Sequence, residues 1–324
     1  RVPFMKYTAL PINISDGIEK CNSFMEGARK TLDDCVYGMD STKLQILQMM
    51  GQWISNPAAI GSAIAITGKM GTGKTSIIKD GVSKILGREF SFISLGGAGD
   101  SSFLDGHSYT YEGSSWGKIV QILIDSKCMN PIIYFDELDK VSDSPRGEEI
   151  VNMLIHLIDS TQNNQFHDKY FSEIDFDLSK CIFFFSYNDA SKVNPILKDR
   201  MYRIEVNGYE CNEKIVIAQK YLLPKIREQV NFNEGDIIIP DETLRYIITT
   251  PQYTQNEVGV RNLKRCLEML YTNLNLYRIV NPGSNLFGNN TLKVSFPFTV
   301  SQSDVGNLIK TDNTQNQSLL SMYI

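Results

Sequence analysis

Histidine is scarce in this chain, three among 324 residues, and its six cysteines are scattered without one C-x-x-C pair. Zinc sites and disulfide frameworks both need close ligand spacing, so Cys21, Cys35, Cys128, Cys181, Cys211 and Cys266 read as reduced, buried thiols of an intracellular protein. No apolar run approaches the roughly 20 residues that cross a bilayer. The N-terminus has no signal-peptide pattern, and the expectation is a soluble, cytoplasmic protein without a membrane partner. An excess of positive charge is also missing. A formal net charge of -5 and a sequence pI near 5.4 give no global attraction to a phosphate backbone, which argues against nucleic acid as the main partner. The chain opens on Arg1 rather than Met, which fits a piece of something longer.

Hydrophobic residues at 42% and charged residues at 21% place the chain among ordinary globular proteins, long enough for a larger domain and a smaller one. From residue 63 to 206, short β-rich runs alternate with helical stretches. Strands are expected at 63–67, 90–95, 132–135, 182–186 and 202–206, with helices at 74–86, 116–125 and 147–159 whose apolar residues recur every three and four positions. That pattern predicts a parallel sheet with helices on both faces, whose chemistry lies just beyond the carboxyl ends of the strands. Two leading helices, 18–33 and 41–54, flank a turn at 37–40. After Gly208 the strands stop and helices follow at 212–229, 241–249, 261–279 and 301–309. The expected domains are therefore a large α/β unit over 1–207, a small α-helical lid over 208–310 and a flexible polar tail over 311–324.

Directly after the first expected strand, Gly68, Lys69, Met70, Gly71, Thr72, Gly73, Lys74 and Thr75 match G-x-x-x-x-G-K-[ST] in full, with Ser76 opening the next helix. Glycines at 68, 71 and 73 let successive backbone N–H groups turn inward onto phosphate oxygens, aided by the positive end of the helix. Lys74 then reaches the β- and γ-phosphates of ATP, and the Thr75 hydroxyl is placed to coordinate Mg²⁺. The bland alternative is a glycine turn with a chance Lys-Thr.

The stretch 131–137 is an apolar strand ending in two acids, Asp136 and Glu137. Carboxylates at the end of so apolar a strand need a cation nearby. Asp136 is the expected Mg²⁺ ligand, and Glu137 the general base that polarises the attacking water. Alone, such a pair is as readily a surface turn. The third apolar strand ends at Asn188, whose amide could orient the same water or simply make a turn. Arg200 and Arg203 follow closely. An arginine on a domain surface can enter a neighbour's site and stabilise charge developing on the γ-phosphate, the alternative being a solvated side chain.

Several stretches resemble the ATPase module of Lon-type AAA+ proteins: Ile93-Ser-Leu-Gly-Gly-Ala-Gly-Asp100, Asp105-Gly-His-Ser-Tyr-Thr-Tyr-Glu-Gly113, Phe135-Asp-Glu-Leu-Asp-Lys-Val-Ser142, His167-Asp-Lys-Tyr170 with Asp175-Phe-Asp-Leu-Ser179, Leu197-Lys-Asp-Arg-Met201, Tyr221-Leu-Leu-Pro-Lys225 and Val258-Gly-Val-Arg-Asn-Leu263. The similarity runs from about Tyr37 to about Tyr277 and implies the P-loop NTPase (AAA+) fold with a helical lid. It also implies an ATP-driven homo-oligomeric ring, usually a hexamer, that unfolds or remodels protein by threading unfolded polypeptide through its centre, in the manner of a chaperone.

By that resemblance Asn188 is similar to sensor 1, Arg200 to the arginine finger and Arg261 to sensor 2. Tyr37 and Gly38 match the segment that touches adenine. Tyr111 stands where the family has a pore-loop aromatic that grips substrate, though an ordinary exposed loop tyrosine would look the same. Lys69 and Met70 replace the two prolines usual in the phosphate loop. Glu112, Ser115 and Trp116 stand where the family pore loop is apolar or carries proline. The residues after the lid are too few for the Ser-Lys peptidase domain of Lon, so no intrinsic protease activity is expected. The chain then reads as a reduced ATPase or a piece of a longer parent, with any peptidase supplied separately. Two other classes compete: a nucleic-acid-directed AAA+ ATPase of the loader or helicase type, disfavoured by the acidic composition, and a nucleotide-gated scaffold, disfavoured by Glu137 and Asn188.

Overall fold

The computed structural model describes residues 6–59, 63–110, 112–280, 292 and 294–309; the expected tail at 311–324 lies outside them. The described residues form two compact units. One comprises the residues up to 69 with 73–207, the other 70–72 with those from 208 onward.

In the first unit, helices α1 (Ile18–Cys35) and α2 (Asp40–Ser55) lead into strand β1 (Ala63–Thr67) and then helix α3 over 74–86. Strand β2 (Phe90–Ser94) follows, then the single turn α4 (Ser102–Asp105), α5 (Lys118–Ser126), strand β3 (Ile132–Asp136) and α6 (Pro145–Ile158). A two-residue ribbon, β4 (Phe166–His167) with β5 (Asp175–Phe176), precedes β6 (Ile182–Tyr187), α7 (Pro195–Asp199) and β7 (Tyr202–Glu205).

The five long strands form one parallel sheet in the order β2-β3-β6-β1-β7. The three inner strands β3, β6 and β1 are apolar almost throughout rather than alternating, since both faces are covered, whereas the edge strands β2 and β7 carry exposed residues such as Ser94, Arg203 and Glu205. Ile64, Ile66, Ile132, Tyr134, Ile182 and Phe184 pack with Leu32, Ile46, Trp53 and Ile77 of α1, α2 and α3. Ala65, Ile133, Phe135, Phe183 and Phe185 pack with Ile119, Leu123, Leu154, Leu157 and Leu197 of α5, α6 and α7. The result is a three-layer, doubly wound α/β unit, as the alternation of elements implies.

Several boundaries differ from the sequence reading, each for a local reason. Helix α5 starts at Lys118 because Trp116 turns away to stack on Phe171 and meet Tyr170 edge-on. Helix α6 starts earlier, at Pro145, where a missing N–H costs nothing, and the Ser144 hydroxyl accepts the Gly147 amide at 3.3 Å. Within α3 the turn Ile77–Val82 is π-helical, with the Ser83 amide bonded to the Ile78 carbonyl.

The second unit is built on α8 over 211–230, α9 (Asp241–Thr249), the short α10 (Pro251–Thr254), α11 (Arg261–Ile279) and α12 (Gln302–Leu308). Leu263, Leu267, Leu270 and Leu274, spaced by three and four, form the buried stripe of α11 and meet Leu244, Ile247, Val305 and Leu308. The Glu257 carboxylate takes the amides of Asn262 and Leu263 at 2.9 and 2.8 Å, fixing the start of α11. Strands do not stop entirely after Gly208. Ile237–Ile238 and Phe298–Thr299 pair in parallel as β8 and β9, too short for any period to announce. Among the described residues no helix is long and apolar enough to cross a membrane.

Phe184, fully buried in the interior strand β6, should be a sensitive point of the first unit. Phe184→Ala is expected to destabilise that unit by about 3–5 kcal/mol. Both tryptophans, Trp53 and Trp116, lie in it, so tryptophan fluorescence in a urea titration reports its unfolding alone.

Candidate functional site

The loop after β1 turns sharply because Gly68 has φ 153°, and a Cβ there would lie 2.5 Å from the Val206 carbonyl oxygen. Only glycine fits that approach. The turn points backbone carbonyls at Lys74, which is 9% exposed at the head of α3. Its ammonium donates to the carbonyl oxygens of Gly68 at 2.5 Å and Lys69 at 3.0 Å, and to Asn188 Oδ1 at 2.8 Å. The candidate phosphate lysine and the candidate sensor are thus in direct contact. Asn188 can reach because β6 is the immediate neighbour of β1, with Thr67 opposite Tyr187.

Parity then groups the next set of side chains. Tyr134, Asp136 and Ser186 all point to the face that carries α3. Thr75 Oγ1 donates to the Tyr134 hydroxyl at 3.3 Å, and the Ser186 hydroxyl donates to Asp136 Oδ1. Burial, more than the neighbouring Asp136 charge, pushes the Tyr134 phenol up, so it stays neutral. The donor set for a cation is a hydroxyl and a carboxylate joined through Tyr134 and Ser186. These are hard oxygens, few in number, which suits Mg²⁺ because that ion keeps several waters and takes the rest of its shell from phosphate. Among the described residues no group of three or more His, Cys, Asp or Glu side chains is arranged to cage an ion.

Glu137 follows β3 in the left-handed region, with φ 60° and ψ 44°. For a side chain of this size that conformation costs on the order of 1–2 kcal/mol and has to be imposed by surroundings. Its carboxylate is held over Gly96 and accepts from Ser94 Oγ at 3.4 Å. A Cβ on Gly96 would fall 2.4 Å from Glu137 Oε2.

The remaining candidates are more dispersed. Arg200 ends α7 and makes a 2.6 Å ion pair with Asp159, and Arg203 is exposed on β7. Tyr37 and Gly38 form the half-buried turn between α1 and α2, where Gly38 and Met39 are both left-handed. The Lys43 ammonium ties this turn down by donating to the Val36 carbonyl at 2.8 Å and to Asp33 at 2.7 Å. Arg261 is the exposed first residue of α11, with Nη1 3.7 Å from Met70 Sδ, both in the second unit. Ser76 lies in the first turn of α3. Tyr111 lies outside the described residues.

Sequence reasoning gave no role to two buried aspartates. Asp139 sits in the turn Leu138–Lys140 just past Glu137, and its Oδ2 accepts the amides of Asn188 at 3.3 Å and Asp189 at 3.1 Å. It therefore joins the segment after β3 to the segment after β6. Asp168 is fully buried and accepts the amides of Gly117 at 2.8 Å, Tyr170 at 2.9 Å and Phe171 at 3.3 Å. Together with the Trp116 ring and the His107 amide on the Ser115 carbonyl at 3.1 Å, it closes the base of the loop over 107–115. Both residues fall inside stretches that carry the Lon resemblance, which was the available signal.

Residues 64–209 match the family described as "ATPase family associated with various cellular activities (AAA)". The chain is 39% identical over 266 residues to a "Lon protease homolog" of Acanthamoeba polyphaga mimivirus, covering 82% of this chain and 26% of that protein. It is 41% identical over 240 residues to a "Lon protease" of Clostridioides difficile, covering 74% of this chain and 30% of the relative. It is also 37% identical over 246 residues to a peroxisomal Lon protease homolog of Oryza sativa, covering 76% and 27% respectively. The chain thus spans between a quarter and a third of the length of these relatives.

Gly96→Ala tests the Glu137 geometry. The clash is with the far end of a side chain, so folding should survive with a change below about 1 kcal/mol. ATP turnover should nevertheless fall about tenfold or more while the KM for ATP stays within about twofold, because only the carboxylate is displaced. Steady-state kinetics with a thermal melt separates the two effects.

Proposed function

We propose that this protein binds ATP with Mg²⁺ and hydrolyses it to drive the remodelling or unfolding of polypeptide within a ring of identical subunits, a reading supported by the AAA-family match over residues 64–209 and by the similarity to Lon proteases. The observation that carries the reading is the Lys74 ammonium, held by the Gly68 and Lys69 carbonyls and by Asn188 at the carboxyl ends of adjacent parallel strands.

In this reading the backbone amides of 68–74 and the start of α3 take the β- and γ-phosphates, with the Lys74 charge among them. Thr75 and Asp136 would hold Mg²⁺, which would supply neutralisation of phosphate charge. Glu137 accepts a proton from the water that attacks the γ-phosphorus as the bond to the ADP oxygen breaks. Asn188 positions that water. Its side-chain oxygen is engaged by Lys74 and its backbone by Asp139, so the amide group is held in a defined orientation. Arg200 acts on a neighbouring subunit's γ-phosphate, which requires a closed ring, taken as a hexamer. Arg261 serves as sensor 2, and Tyr37 with Gly38 lies against the adenine.

The resemblance to Lon supports polypeptide as the substrate, with Tyr111 as the gripping aromatic. The closed base of the 107–115 loop, made by Asp168 and Trp116, suits a loop that must bear load. We assign this stretch the ATP-driven part of the work and no peptidase role.

The test combines three variants. Lys74→Ala should lose MgATP binding by equilibrium titration. Glu137→Gln should bind ATP, assemble into a discrete ring by light scattering and turn over at under about one-hundredth of the parental rate. Arg200→Ala should bind ATP normally and lose about a thousandfold or more in kcat. Stimulation of the parental ATPase by an unfolded protein supports the reading, whereas stimulation by DNA alone would replace it with a nucleic-acid-directed one.

A further inference from the structure

Arg200 does not hang free from α7. Among the described residues its ion-pair partner is Asp159, whose Oδ2 meets Arg200 Nη1 at 2.6 Å. The arginine side chain is 40% exposed and the aspartate 16% exposed, so the pair sits at the surface with the acid on its inner side. A guanidinium has five N–H donors, and a single contact to Nη1 leaves the others available to a second acceptor. The fork is planar and stiff, so fixing one nitrogen fixes the direction of the rest.

The acid is itself immobilised. Its Oδ1 accepts the Thr161 amide at 3.0 Å and the Thr161 hydroxyl at 2.7 Å, and its main-chain carbonyl takes the amides of Gln162 at 3.0 Å and Asn163 at 2.9 Å. Asp159 ends α6, and Arg200 ends α7. The two helices share one core, through Leu154 and Leu157 on the first and Leu197 on the second, all at most 1% exposed. The Arg200 hydrogen bond, followed by those from Thr161, holds the Asp159 carboxyl far below the usual carboxylate range, so it stays ionised at neutral pH. A surface ion pair ordinarily stabilises a fold little. One so firmly held on both sides serves direction rather than stability.

We propose that Asp159 is the positioning residue for Arg200, an internal carboxylate that aims the guanidinium outward so that its free donors meet the γ-phosphate of an adjoining subunit without a search over side-chain rotamers. This rests on the finger reading of Arg200 given above. Helix α6 begins eight residues after Glu137, so Asp159 also ties the orientation of the outgoing arginine to the helix that follows the subunit's own general base.

Asp159→Asn discriminates between positioning and mere turn-making, because asparagine still accepts the Thr161 amide and forms the same turn. It loses the charge that orients Arg200. The expected result is a fall of about ten- to a hundredfold in kcat for ATP, with KM, ring assembly and the fluorescence-monitored melt unchanged. Asp159→Glu, which restores the charge, should recover part of the loss. Parental kcat in Asp159→Asn alongside an inactive Arg200→Ala overturns the positioning role and leaves the finger intact. A kcat loss that comes with a matching drop in melting temperature, and that Asp159→Glu does not relieve, also overturns it in favour of a structural role. Parental turnover in Arg200→Ala would remove the finger, and the positioning role with it.

Discussion

A lysine withdrawn from water makes the demand on which the candidate site is built. The Lys74 ammonium is 9% exposed, and a charge in that position is tolerated only where oxygens replace its hydration. Three of those oxygens are neutral: two carbonyls from its own loop and one amide from the end of β6. Neutral acceptors solvate the ammonium without contributing an opposing charge of their own. The local backbone follows from this requirement. Carbonyls can face inward only if the chain reverses at Gly68, where any side chain would collide with the Val206 carbonyl. Asn188 can contribute only if β6 lies directly beside β1, which the strand order provides.

The same register distributes the rest of the chemistry. A period of two along β3 and β6 puts Tyr134, Asp136 and Ser186 on the face of α3, while Phe135, Phe183 and Phe185 fill the opposite layer. Thr75 at the head of α3 therefore faces Tyr134, and Ser186 meets Asp136 across the strand pair. Shifting β3 by one residue would send Asp136 into the apolar layer beneath α5 and α6, and shifting β6 would do the same to Ser186. The continuous apolar character of the strands thus fixes which face each polar residue occupies, and so serves the site as much as the core.

This also explains what could be read in advance. The five long strands, the phosphate loop and the acids at the end of β3 are contiguous in sequence, and their composition or spacing was visible from local order alone. The π-helical turn in α3 and the two-residue pair of β8 with β9 have no period to detect. Helix α6 begins at a proline whose start signal, Ser144, precedes the apolar stripe. The roles of Asp139, Asp159 and Asp168 had no local period or spacing to reveal them, although the first and last lie in the Lon-like stretches. Their partners lie 49, 41 and 51 positions away, at Asn188, Arg200 and Gly117, and only the fold brings them within reach. An aspartate that holds another loop looks, in sequence, like any surface acid.

Those three aspartates divide the work with the residues assigned to nucleotide. Each engages a separate segment: the one after β6, the end of α7, and the loop before α5. Asp139 and Asp168 do so by accepting two and three backbone amides, charge-assisted bonds that are stronger than neutral ones. Asp139 even leaves its Oδ1 buried without a partner among the described residues, a cost that packing alone does not explain. The left-handed Glu137, two residues before it, carries a second such cost. Both fall in the short turn between the strand that bears the acids and the helix that leads to Asp159. Strain gathered there, rather than spread through the layers, is what a turn would show if its task were to hold a carboxylate and an amide at a fixed separation around one water.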